Sequence, residues 1–179
     1  MNPRLDGSGE PTTTVFPTKI LLVIDDSGEA KLAARRAVDL ANTTDCELHV
    51  VYVGQLPNFL MKDPDIMGFY RKLYDDIERE SLEVLWRLSW EVKAAGRDVA
   101  GAHLRMGNVA EEIVESAKEL EADLIVMGNR GHGGLRRAIG GSIPDVVVHR
   151  APCAVMSVRS EEGEEHRRFW RRIFHSNIE

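Results

Sequence analysis

Short apolar runs alternate along this chain with segments of helical period, and that alternation leaves few folds open. Thr18 to Asp25, Cys46 to Val53, Asp98 to Arg105, Asp123 to Met127 and Cys153 to Val158 read as strands. Between them Ala30, Ala33, Ala34, Ala37 and Ala41 recur at helical spacing. So do Ile66, Phe69, Leu73, Ile77, Val84 and Leu88 within Asp65 to Ala95, and Ala110, Ile113, Val114 and Ala117 further on. Ile143 to His149 reads as a last, short helix. The first and fourth strands are apolar throughout, not at alternate positions, which suits strands covered by helices on both faces. This pattern predicts an α/β fold in a single domain: an open, parallel, five-stranded sheet with helices on both faces and right-handed crossovers. Local punctuation agrees. Ser27 is placed to cap the first helix, Gly96 to end the second, and Asn108 with Glu111 resembles a capping box for the third.

In such a sheet ligands sit beyond the carboxyl ends of the strands, where strand order reverses. The stretch Gly128 to Ser142 follows the fourth strand directly and leads into the last helix. It contains Gly128, Gly131, Gly133, Gly134, Gly140 and Gly141. Glycines let a backbone turn at positive φ and approach a ligand closely. A helix start offers unpaired N–H groups and partial positive charge. Ser142 can cap that helix or give its hydroxyl to a phosphate oxygen. The stretch therefore reads as an anion-binding loop, suited to nucleotide phosphates. The plainer alternative is a structural turn.

Gly128, two residues, Gly131, nine residues, then Gly141 and Ser142 resembles the nucleotide loop of the ATP-binding branch of the universal stress protein family. Lys19 to Asp25 resembles that family's first strand with its terminal Asp, Ala122 to Gly128 its fourth strand, and Ala151 to Val158 its closing strand. The resemblance covers roughly Thr18 to Arg159. It implies strand order 3-2-1-4-5, a Rossmann-like, adenine-nucleotide-hydrolase-like architecture, and a site made of Asp25, Val53, Met127, Gly128, Gly131, His132, Gly133, Gly141, Ser142 and Ile143. Asp25 would accept hydrogen bonds from adenine amino or ribose hydroxyl groups. Val53 would pack on the adenine. His132 either donates to a phosphate when protonated or sits in solvent. The implied ligand is ATP, or AMP or ADP, with Mg²⁺ as its companion. The implied assembly is a homodimer through the last strand, Ala154 to Val158.

Two positions depart from the family pattern. Asp26 stands where a small residue is usual, and a second carboxylate near phosphates repels them unless a cation offsets it. Arg130, Arg136 and Arg137 are the loop's candidates for that. Pro144 stands where a second hydroxyl residue often follows, so one phosphate donor is missing, although proline suits a first helical turn. These departures keep open a nucleotide-free interaction protein of the same fold. An adenylate-transferring enzyme would need a further catalytic motif, and none is evident. There is no Walker loop, no nucleophile elbow and no Cys or His pair at metal spacing. At most a slow, metal-assisted ATPase is expected. His49 and His103 fall in strands and read as structural.

A net charge of −6 argues against broad nucleic-acid binding. No apolar run reaches membrane-spanning length, and the N-terminus lacks a signal-peptide layout. Cys46 and Cys153 read as reduced core thiols, so the chain is expected in the cytoplasm. Residues 1–17, rich in Pro, Gly, Ser and Thr, read as a disordered leader, residues 18–159 as the domain, and residues 160–179 as an amphipathic helical extension. In that extension Phe169, Trp170, Ile173 and Phe174 lie among Arg167, Arg168, Arg171 and Arg172. The segment from Arg167 to His175 either packs on the domain or meets a protein partner.

Overall fold

A computed structural model describes residues 16–57, 70–129 and 142–159. The described chain runs β1 (Lys19–Val23), α1 (Gly28–Thr44), β2 (Glu47–Gln55), α2 (Arg71–Ala94), β3 (Gly101–Gly107), α3 (Val109–Glu119), β4 (Leu124–Gly128), α4 (Ile143–Arg150) and β5 (Ala154–Val158). The five strands form one parallel sheet in the order β3-β2-β1-β4-β5, as expected.

Successive side chains of a strand point to opposite faces, and both faces here are covered. Ile20, Leu22, Ile24, Leu48, Val50, Leu124 and Val126 pack against Ala33, Ala37, Val38 and Ala41 of α1 and Leu85, Leu88 and Val92 of α2. Leu21, Val51, Val53, Ile125 and Met127 pack against Ala110, Ile113 and Ala117 of α3 and Val147 of α4. The unbroken apolar runs of β1 and β4 are thus the signature of helices on two sides. At the other end of the sheet the Asp123 carboxylate ties β1 to β4, accepting the backbone N–H of Thr18 at 2.8 Å and of Lys19 at 3.0 Å.

Several boundaries shift from the sequence reading. β1 is shorter than expected because the chain leaves the ladder after the Ile24 N–H donates to Val51 O at 3.0 Å. β2 runs on to Gln55 because β3 pairs with it as far as Gly107. β3 starts later, at Gly101, because Asp98 turns outward to Lys93 at 2.9 Å. Cys153 lies just outside β5, half-buried, and both cysteines are free thiols. The helical pattern expected from Asp65 is seen from Arg71; its first residues and most of the leader lie outside the described residues, as does the extension. The buried face of α2 keeps Leu88 of those expected, with Val84 at its margin, but is otherwise set by Ser81, Leu85, Ser89 and Val92, while Leu73 faces solvent. Space at the sheet decides this, since a Cβ on Gly54 would lie 2.5 Å from Ser81 Oγ and from Met106 Sδ. Small Ser81 and absent Gly54 side chains let helix and strand meet.

Candidate functional site: the switch point between β1 and β4

Strand order reverses between β1 and β4. Leu22 pairs with Val126 at the end of the β1/β4 ladder, three residues before Asp25 and two before Gly128. The turn that carries the expected acid and the strand that leads into the glycine-rich loop therefore leave the sheet from adjacent strands at the same end. Asp25 folds back on its own turn, its Oδ1 accepting the Ser27 N–H at 2.8 Å. Ser27 Oγ in turn accepts the Ala30 N–H at 3.0 Å and caps α1. The cap expected of Ser27 is present.

Gly128 has a packing reason for being glycine. A Cβ there would lie 2.9 Å from Ala30 N and 3.0 Å from the Glu29 carbonyl carbon. The first turn of α1 thus presses backbone to backbone on the end of β4. From there the Asn129 N–H donates to Val158 O at 2.7 Å, fixing the chain's exit. Val53 and Met127 are both buried and belong to the cluster on the α3/α4 face. Gly131, His132, Gly133 and Gly141, together with Arg130, Arg136 and Arg137, lie outside the described residues.

Ser142 caps α4, and Pro144 occupies the first turn as its chemistry favours. The capping box also engages the donors expected for a phosphate. Asp145 Oδ2 accepts the Ser142 hydroxyl at 2.8 Å and its N–H at 3.2 Å, while Ser142 Oγ accepts the Asp145 N–H at 3.4 Å. These bonds hold the Asp145 carboxyl below its usual range. Ile143 stays partly exposed beside it.

Three further features were not read from the sequence. Arg87 of α2 grips Asp26 with both guanidinium nitrogens, at 2.9 and 2.7 Å, and also approaches Glu91 at 3.5 Å. The cation offsetting the second carboxylate therefore includes one from a distant helix. Burial first, and then Asp26 and Asp25, push the Tyr52 phenol up. Glu29, in the first turn of α1, is 9% exposed, and its Oε2 is buried with no hydrogen-bond partner among the described residues. A signal for Glu29 existed: it continues the Ala33, Ala37, Ala41 stripe by steps of four. Arg87 and Asp26 are 61 residues apart and left none.

Among the described residues no group of three or more His, Cys, Asp or Glu could hold a metal ion, and no helix is long and apolar enough to cross a membrane. A parallel sheet with an acidic turn, a tightly packed strand end and a capped helix at its switch point defines a Rossmann-like, adenine-nucleotide-hydrolase-like α/β protein. A model of the universal stress protein family matches residues 17–159. The chain belongs to that family. It is 31% identical over 146 residues to universal stress protein MJ0531 of Methanocaldococcus jannaschii, covering 82% of this chain and 84% of that one. Among solved structures, universal stress protein UspA from Lactobacillus plantarum superposes with a TM-score of 0.64 at 26% identity, covering 79% of this chain and 97% of that one. A universal stress protein solved in complex with cAMP gives a TM-score of 0.52 at 25% identity, covering 79% and 96%.

Proposed function

We propose that this protein binds an adenine nucleotide at the β1/β4 switch point and serves as a regulatory module of a stress response. ATP is the ligand the loop spacing favours, with AMP or ADP as lesser occupants and Mg²⁺ as companion ion. The observation that carries this reading is the convergence at one sheet end of the Asp25 turn, the Gly128 strand end and the Ser142-capped helix start. A cyclic adenine nucleotide in a structural relative supports the ligand class. In this reading Asp25 accepts from the base or ribose, Val53 and Met127 back the adenine, and Gly128, Gly131, His132, Gly133, Gly141, Ser142 and Ile143 line the ribose and phosphates. Ligand-ordered loop and association states give the switch. The open edge of β5 pairs with its copy in a symmetric homodimer, and the extension from Arg167 to His175 meets a protein partner. Two free thiols suit a cytoplasmic setting.

The test is the nucleotide content of protein purified without added ligand, released by denaturation, followed by titration of ATP and AMP with magnesium on wild type and Gly131→Val. ATP released from wild type, with binding lost in the variant, supports the reading. No nucleotide and no binding at millimolar ATP sinks it. That outcome favours a second reading, an interaction protein without nucleotide, for which the capture of Ser142's donors by Asp145 is the supporting observation.

A further inference from the structure

The most exposed large apolar side chains of α2 are two tryptophans on one side of the helix. Trp86 and Trp90, four residues apart, are 58% and 68% exposed, and exposed Leu82 continues the stripe by another step of four. The core leaves all three out. The stripe looks away from α1. On the other flank Arg87 turns to Asp26, while Lys93, beside Trp90, reaches Asp98 ahead of β3. Trp90 already takes a cation, with Lys93 Nζ 5.9 Å from its ring centroid. Asp75 and Glu83 lie along the same side, seven residues before Leu82 and three before Trp86. Both are exposed, and neither is in an ion pair among the described residues. The surface is therefore apolar, receptive to cations and edged with acid.

We propose that Arg167 to His175 of one copy lies on the Trp86/Trp90 stripe of a second copy of this chain. The inference rests on the reading above that this extension meets a protein partner, and it identifies that partner. Chemistry matches: Phe169, Trp170, Ile173 and Phe174 stand among Arg167, Arg168, Arg171 and Arg172. Guanidinium groups stack on indole faces and pair with carboxylates such as Asp75 and Glu83. Size matches too. A whole aromatic side chain buries roughly 150–250 Å², so this stripe falls well short of the ~800 Å² per partner of a standard interface. It is too small for two stripes face to face and large enough for the apolar side of a short helix. Reach favours a second copy. The extension continues from β5, whereas α2 packs on β2 and β3 at the far edge of the sheet. About 19 Å of sheet and the roughly 10 Å thickness of α1 lie between. From Arg159 to Arg167 the chain spans at most about 29 Å, which a path over α1 uses up.

The test uses the full chain and its three tryptophans. In Trp170→Phe only Trp86 and Trp90 emit. As protein concentration rises, their emission is expected to move to shorter wavelength and resist acrylamide quenching. Sedimenting mass rises in step, in wild type as well. Trp90→Ala, and separately Arg168→Glu with Arg171→Glu, weaken that association by about tenfold or more, the scale of one lost interface anchor, at unchanged melting temperature. Mixing these two variants restores it in part, because one keeps the extension and the other the stripe. Indoles protected equally at every concentration place the extension on its own copy, which overturns this inference and the partner reading together. Association kept by the arginine variant but lost in Trp90→Ala means stripe against stripe, and overturns the inference. Association that needs the arginines but not Trp90 overturns it while the partner reading stands. No association of wild type and no protection of the two indoles overturns it as well.

Discussion

At the scale of single residues, backbone proximity and charge set the switch point. Gly128→Ala would push a methyl group against the backbone of α1's first turn, where no side-chain rotamer can yield. Overpacking of that kind costs about 1–3 kcal/mol. A urea titration should show this loss together with weakened nucleotide binding. The Asp26–Arg87 pair makes the opposite prediction. Both groups are partly exposed, with 37% and 49% of their side chains accessible, so their contact adds little to folding. Its influence is on local charge. Arg87→Gln should leave the melting temperature almost unchanged and weaken ligands in order of their charge, ATP most, AMP less and adenosine least. Adding Asp26→Asn should restore ATP binding. Equal weakening of all three ligands would show that Arg87 only shapes the turn.

Elements show how local signals combine with long-range contacts. Ser27, Gly96, Asn108, Ser142 and Pro144 were all legible as helix ends. Each acts within a few residues of itself, through caps the chain forms locally. Gly96 adopts φ +110°, which a side chain rarely tolerates, and the chain turns there after α2. The capping box expected at Asn108 is present on one side, its Oδ1 accepting from Ala110 and Glu111 N–H at 3.1 and 3.3 Å. Ser27→Ala should cost about 1 kcal/mol, the usual scale for a lost N-cap, measurable by thermal melting.

The pairing of β2 with β3 adds a feature that neither strand revealed alone. His49 Nδ1 and His103 Nε2 lie 3.1 Å apart over Gly101, where a Cβ would come within 2.8 Å of both nitrogens. Burial, then His49 and then Arg105, push the His103 pKa down, while Glu119 opposes them; Glu47 holds the far side of His49 at 3.3 Å. A lowered folded value means that the unfolded chain binds the proton more readily. Stability should therefore fall as pH drops below about 6.5 and through the lower folded value. Urea midpoints between neutral and mildly acidic pH should show this, and His103→Gln should flatten the dependence.

For the whole molecule, the two sheet edges differ. β3 lies at one end of the sheet beside α2, and β5 closes the other with Met156 38% exposed. An unpaired strand edge is a template for another chain. If β5 is the dimer surface, wild type sediments as a dimer and Met156→Lys shifts it toward monomer at equal concentration. A wild-type monomer at tens of micromolar protein (roughly the range where weak dimers form) would remove that assembly from the proposal.

The sequence by itself determined the class of fold. Apolar runs at Lys19 to Val23 and Leu124 to Gly128 admit burial on both faces and little else, because every second side chain of a strand faces the opposite layer. It also determined the helix ends, whose causes are local. Strand order came from family resemblance, not periodicity, because pattern alone does not say which strands become neighbours. Only the tertiary structure decided the partners. Arg87 reaches Asp26 across 61 residues, His49 meets His103 across 54, and Glu29 is closed in at the end of β4. Those contacts arise where separate βα units pack together. Their chemistry depends on distance and burial, which no local pattern in the chain encodes.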